Sequence, residues 1–146
     1  MMRLIQTSVS VYLCLPCGWA VYSGCIDRKG FVVSSPRLLI QAGADKDKAI
    51  TNGATPLYIA SEKVHLDIVR LLIEAGADKD NTRDTDGVSP MFMASQNGHL
   101  EVVRLLVEAG ADKNKASRMG STPLQIARVL RHDGIVEMLP RAGATG

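Results

Sequence analysis

The stretch His99-Leu-Glu-Val-Val-Arg-Leu-Leu-Val-Glu-Ala-Gly-Ala-Asp-Lys113 occurs almost verbatim once earlier, as His65-Leu-Asp-Ile-Val-Arg-Leu-Leu-Ile-Glu-Ala-Gly-Ala-Asp-Lys79. A weaker copy runs from His132 to Ala144, and a half copy from Arg37 to Lys46. The Gly-Ala pairs begin at Gly43, Gly76, Gly110 and Gly143, so successive copies are 33, 34 and 33 residues apart. A period of that length constrains the fold more than any other feature of the chain. Each unit is one supersecondary piece that cannot bury its own apolar face, and burial comes from stacking on its neighbours.

Local chemistry gives the content of a unit. Leu100, Val103, Leu106 and Val107 recur at three- and four-residue steps and share one helix face, which Val102 and Leu105 widen. Glu101, Arg104 and Glu108 occupy the remaining polar strip, where opposite charges three and four apart help slightly. Gly110 closes the helix, being able to adopt the left-handed conformation after the C-cap. Upstream stand Thr55-Pro56, Ser89-Pro90 and Thr122-Pro123. A hydroxyl there can accept from unpaired N–H groups, and proline suits the first helical position. These pairs predict short helices over Pro56–Glu62, Pro90–Gln96 and Pro123–Leu130. Polar residues with Gly53, Gly87 and Gly120 form the turns between units.

Gly-x-Thr-Pro-Leu, the Gly-His-x-x-Val-Val-x-Leu-Leu run and the closing Gly-Ala-Asp together resemble the ankyrin repeat, in period and in helix order. The resemblance implies an all-α ankyrin-repeat solenoid: stacked helix-turn-helix units with projecting finger turns. It covers residues 51–144 well and 37–50 as a trailing half repeat. The expected division is a leader over 1–34, unrelated to the repeats and poorly ordered or irregular, followed by an array over 35–146. Within the array the divisions are a half repeat 35–50, full repeats 51–83 and 84–116, and a degenerate terminal repeat 117–146.

Departures from the pattern carry expectations of their own. Val64 and Arg131 occupy the place of Gly98, so a left-handed backbone there strains Val64 by about 1–2 kcal/mol. The histidine that the resemblance implies after Thr-Pro-Leu is replaced by Tyr58, Phe92 and Gln125, so its hydrogen bond to the neighbouring finger is absent. One extra residue within Asn81–Asp86 enlarges the second finger. Pro140, at the place of Val107 and Ile73, is expected to remove a backbone bond to Val136 and to shorten the last helix. Ahead of the array, Pro36 can restart a short helix over Arg37–Ala42.

The leader holds Cys14, Cys17 and Cys25, the only cysteines of 146 residues. An odd count gives no tidy disulfide framework, and Cys14-Leu-Pro-Cys17 lacks a second Cys/His pair, so incidental thiols are the expected reading. Val9–Leu15 has the character of a short signal core after Met1-Met-Arg3, but Gln6, Thr7, Ser8 and Ser10 interrupt it. The apolar run is too short to span a membrane, which takes about 20 residues. A cytoplasmic chain is expected.

Function follows from what is missing and from what varies. Net charge is +2 with both signs mixed, and the scarce aromatics leave no basic–aromatic strip, so no nucleic-acid partner is expected. His65, His99 and His132 recur once per unit at one offset, about 10 Å apart on successive layers, which points to a structural role. No elbow, phosphate loop or metal spacing appears, so the chain is expected to be no enzyme and to need no cofactor or metal. Asn114 holds the place where the resemblance implies an asparagine that can be hydroxylated. The expected function is a non-catalytic, monomeric protein–protein interaction module acting as scaffold or adaptor. Two alternatives stay open: a fragment of a larger repeat protein without activity of its own, and a secreted repeat protein if the leader is a signal.

Contact residues are expected where the copies differ while their neighbours do not. At the finger tips these are Thr51, Asn52 and Ala54; Thr85, Asp86 and Val88; Arg118, Met119 and Ser121. At the short-helix ends they are Glu62 and Lys63; Gln96 and Asn97; Val129 and Leu130. Val88, Met119, Val129 and Leu130 are read as apolar area that a solvated surface does not need.

Overall fold

The computed structural model describes residues 25–26, 32–33, 40–41 and 45–145. Among them are six helices: α1 (Pro56–Lys63), α2 (Leu66–Glu74), α3 (Pro90–Gln96), α4 (Leu100–Glu108), α5 (Pro123–Val129) and α6 (Asp133–Arg141). Short and long helices alternate, as the repeat pattern requires. In the leader, β1 (Cys25–Ile26) pairs antiparallel with β2 (Val32–Val33). Cys14, Cys17 and the signal-like run lie outside the described residues. Ile40 and Gln41 are helical, and the rest of the expected Arg37–Ala42 helix lies outside as well.

The short helices start where hydroxyl-proline pairs predict. Thr55 Oγ1 accepts from Tyr58 N–H at 3.2 Å, Ser89 Oγ from Phe92 N–H at 3.2 Å, and Thr122 Oγ1 from Gln125 N–H at 3.3 Å. Gln125 Oε1 accepts in return from Thr122 N–H at 3.0 Å, closing a capping box. The long helices end with a 6→1 bond, such as Ala111 N–H to Leu106 O at 3.0 Å, across Gly110 at φ 82°.

Stacking follows from the wide apolar face. α1 packs on α3 and α3 on α5, while α2 packs on α4 and α4 on α6. Leu72, Val102, Val103, Leu106 and Leu139 are buried in one continuous core that runs through all three units. Glu101 and Arg104 approach to 3.6 Å on the polar strip, but both are exposed and the pair contributes little.

Polar groups set the register between units. Asp47 Oδ1 accepts from Asp78 N–H, Asp80 Oδ1 from Asp112 N–H, and Asn114 Oδ1 from Thr145 N–H, each at 2.8 Å. Asn114 thus does the same structural work as the two aspartates, one layer further on. The histidines form a second set. His99 Nε2 lies 3.1 Å from Glu62 O and His132 Nε2 2.9 Å from Gln96 O. A carbonyl can only accept, so Nε2 carries the proton and each ring ties a long helix to the short helix of the preceding unit.

Two departures in the last unit have different outcomes. Pro140 leaves Val136 O without its helical donor, yet α6 has the same nine residues as α2 and α4, so the expected shortening does not occur. The reason is position. Pro140 lies in the final turn, and Ala142, Gly143 and Ala144 still donate to Met138, Pro140 and Leu139 at 3.1, 2.9 and 2.9 Å. Arg131 is left-handed at φ 59°. A Cβ at the equivalent Gly98 would stand 2.7 Å from the His132 ring. No described residue follows Arg131 with a ring at that place.

Val64 is also left-handed, at φ 64° and ψ 32°. Its side chain is 45% exposed, so little burial offsets the strain. Val64→Gly is expected to raise stability by about 1 kcal/mol, the relieved strain being partly offset by the larger entropy of an unfolded glycine. A lower urea midpoint for the variant would show that the valine contributes packing this geometry does not contain.

Candidate protein-interaction surface

The finger turns are hairpin-like loops closed by backbone bonds. Ile50 N–H donates to Ala54 O at 3.0 Å and Gly53 N–H to Ile50 O at 2.8 Å; Ser117, Ser121 and Gly120 repeat this in the third unit. In the second finger Gly87 N–H reaches back four residues to Arg83 O at 2.8 Å, and Arg83 N–H to Val88 O at 3.0 Å. The extra residue is therefore absorbed at the tip. Arg83 forms an ion pair with Asp86 across that larger loop, which holds the Asp86 carboxyl below the usual carboxylate range. Asp86 Oδ1 also accepts from Val88 N–H at 3.2 Å.

Fingers are linked to one another. Asp84 N–H donates to Asn52 O at 3.2 Å and Arg118 N–H to Asp86 O at 2.9 Å. That brings Thr51 and Asn52, then Thr85 and Asp86, then Arg118 and Met119 into one row. Glu62 and Lys63, Gln96 and Asn97, and Val129 and Leu130 make a second row at the other end of the stacked short helices. A seven-residue helix rises about 10 Å, so the rows flank a surface roughly that wide.

Within the rows the residues differ in what they can offer. Thr51, Asn52, Lys63, Thr85, Gln96, Asn97, Arg118, Met119, Val129 and Leu130 are exposed, and Glu62, Asp86 and Ser121 are half-buried. Several have partners already: Asn52 Oδ1 accepts from Ala54 N–H at 3.0 Å, and Asn97 Nδ2 donates to Met93 Sδ at 3.4 Å. Ala54 and Val88 do not belong to the surface. They are buried in a cluster with Tyr58, Phe92 and Met93 that seats the fingers on the short helices. Being buried, Val88 adds no exposed apolar area.

The same cluster contains a stressed group. Tyr58 is buried, and its hydroxyl has no hydrogen-bond partner. The Arg83 guanidinium carbon lies 5.1 Å from the ring centroid. Burial pushes the phenol up to about 12, the Arg83 charge opposing it. Because the folded value exceeds the ordinary one of 10, the stability linked to this proton is fully present below pH 10 and is lost as pH rises through 12. Tyr58→Phe removes the unpaired hydroxyl and is expected to stabilise the chain by about 1 kcal/mol at pH 7. The gain should widen between pH 10 and 12. Urea midpoints that shift identically for both proteins over that range would refute the burial argument.

Two exposed residues were absent from the expected contact set. Gln125 and Arg128 are exposed on α5, where their counterparts Phe92 and Ser95 on α3 are buried. The register alone carries the signal, since apolar or small residues at two copies become polar and long at the third.

A family model described as ankyrin repeats, in three copies, matches residues 16–83 and 80–145. The chain belongs to the ankyrin-repeat family. No curated protein matches it. Ankyrin repeats are in general protein–protein interaction modules and are typically non-catalytic. Consistent with a structural use, His99 and His132 each commit Nε2 to a backbone carbonyl. Among the described residues no helix is long and apolar enough to cross a membrane, and no group of His, Cys, Asp and Glu could hold a metal ion.

Proposed function

We propose that the array over residues 35–146 binds a protein partner on the surface between its finger tips and short-helix ends, as a scaffold or adaptor without catalysis. The supporting observation is the contrast between two sets of residues. Leu72 and Leu106, which stacking needs, are buried and repeat almost unchanged. Lys63, Asn97 and Leu130, at one equivalent position in three units, are exposed and chemically unrelated. Exposed side chains that differ at fixed backbone positions give each layer its own contact chemistry, which is how a repeat scaffold distinguishes partners.

The test uses the full chain as bait with the triple variant Lys63→Glu, Asn97→Glu and Leu130→Glu. Binding of a captured partner should fall at least tenfold while the thermal melt stays unchanged. Unaltered binding by the triple variant would move the contact to the long-helix side or to the leader.

A further inference from the structure

Charge is distributed unevenly along the finger and short-helix segments. At equivalent positions, residues 51–64 hold Glu62 and Lys63 and sum to zero, 85–98 hold Asp86 and sum to −1, and 118–131 hold Arg118, Arg128 and Arg131 and sum to +3. None of these three arginines makes an ion pair with a described residue, whereas Arg83, Arg104 and Arg141 all do. Beside them stand the most exposed apolar side chains of the array, Met119 at 91% and Val129 at 74%. Unpaired cations and exposed apolar groups thus occur together in both rows on the open side of the last described unit, Arg118 with Met119 at the finger tip and Arg128 with Val129 on α5.

We propose that this open side of the last described unit docks an acidic segment of a partner protein, with apolar side chains of that segment seated on Met119 and Val129. The proposal rests on the protein-interaction reading above and gives the partner its chemistry. Ser61 and Ser95, at the place of Arg128, are fully buried, whereas Arg128 is exposed. A segment that covers Arg128 must bring a counter-charge, because burying an unpaired guanidinium costs several kcal/mol. An acidic segment supplies that charge and accepts from the guanidinium fork. A nucleic acid would supply charge as well, but no Phe, Trp or Tyr occurs after Phe92 to stack a base, and phosphates have no use for Met119 or Val129.

The test is fluorescence anisotropy of the full chain with a labelled peptide of about a dozen residues in which glutamates alternate with leucines. Two control peptides carry glutamine for glutamate or serine for leucine. The acidic, leucine-bearing peptide should bind saturably, each control at least tenfold more weakly, and added salt should weaken the complex. Arg128→Glu and Arg118→Glu should each cost tenfold or more with an unchanged melt, and Lys63→Glu should have little effect. Equal binding of the serine control, tighter binding of a uridine oligonucleotide of equal charge, preference for phosphatidylserine vesicles, or no saturable binding would each overturn the proposal. Sensitivity to Lys63→Glu but not to Arg128→Glu would overturn this location while leaving the broader surface intact.

Discussion

Replacing Gly53 by alanine is expected to cost the array about 3 kcal/mol, and the same change at Gly120 only about 1 kcal/mol. The two glycines are equivalent in the repeat and have the same φ of 80°. Both substitutions therefore carry the same left-handed penalty for an L side chain. They differ in what lies outside the finger. A Cβ at Gly53 would stand 2.4 Å from Asp84 Cγ and 2.5 Å from Asp84 N, and the backbone atom cannot swing away. A Cβ at Gly120 meets nothing within 4 Å. The clash also breaks the Asp84 N–H bond to Asn52 O that aligns neighbouring fingers. Urea denaturation of both variants measures the difference directly. Equal losses would mean that the fingers do not stack at this distance.

The second large effect is expected at Leu106. It is fully buried at the centre of the continuous core, packed in the middle unit with a neighbour on either side. Leu106→Ala should cost about 3 kcal/mol, from lost transfer energy together with a cavity that flanking helices cannot collapse around. Leu105, next in sequence and only partly buried, should cost about 1 kcal/mol when changed in the same way. Native domains have margins of about 5–15 kcal/mol, and an array near the minimum of about three repeats belongs at the low end. Leu106→Ala should therefore lower the melting temperature strongly, and comparable melts for the two alanine variants would contradict a single core shared by the units.

The core was legible because stacking makes burial periodic. One helix face names Leu106, and its near-verbatim copy names Leu72, from the sequence alone. Capping was equally plain, since Thr55, Ser89 and Thr122 act through bonds three residues away. The left-handed turn at Val64 was legible too, from the glycine its copy carries. The contact surface was legible only in part. Variation between copies marks exposed positions such as Lys63 and Leu130, yet it also marks Ala54 and Val88, which are buried with Tyr58, Phe92 and Met93.

Sequence by itself determined the unit, its period, its helix starts and ends, and the strained turn, because each of these is settled within a few residues or by direct comparison of copies. Tertiary structure decided what depends on the neighbouring layer. It turned Asp47, Asp80 and Asn114 into a ladder between units, and gave His99 and His132 carbonyl partners more than 30 residues away. It kept α6 at full length despite Pro140, because the bonds that close the last turn bypass the missing donor. And it left Gln125 and Arg128 exposed on α5, where their counterparts Phe92 and Ser95 on α3 are buried.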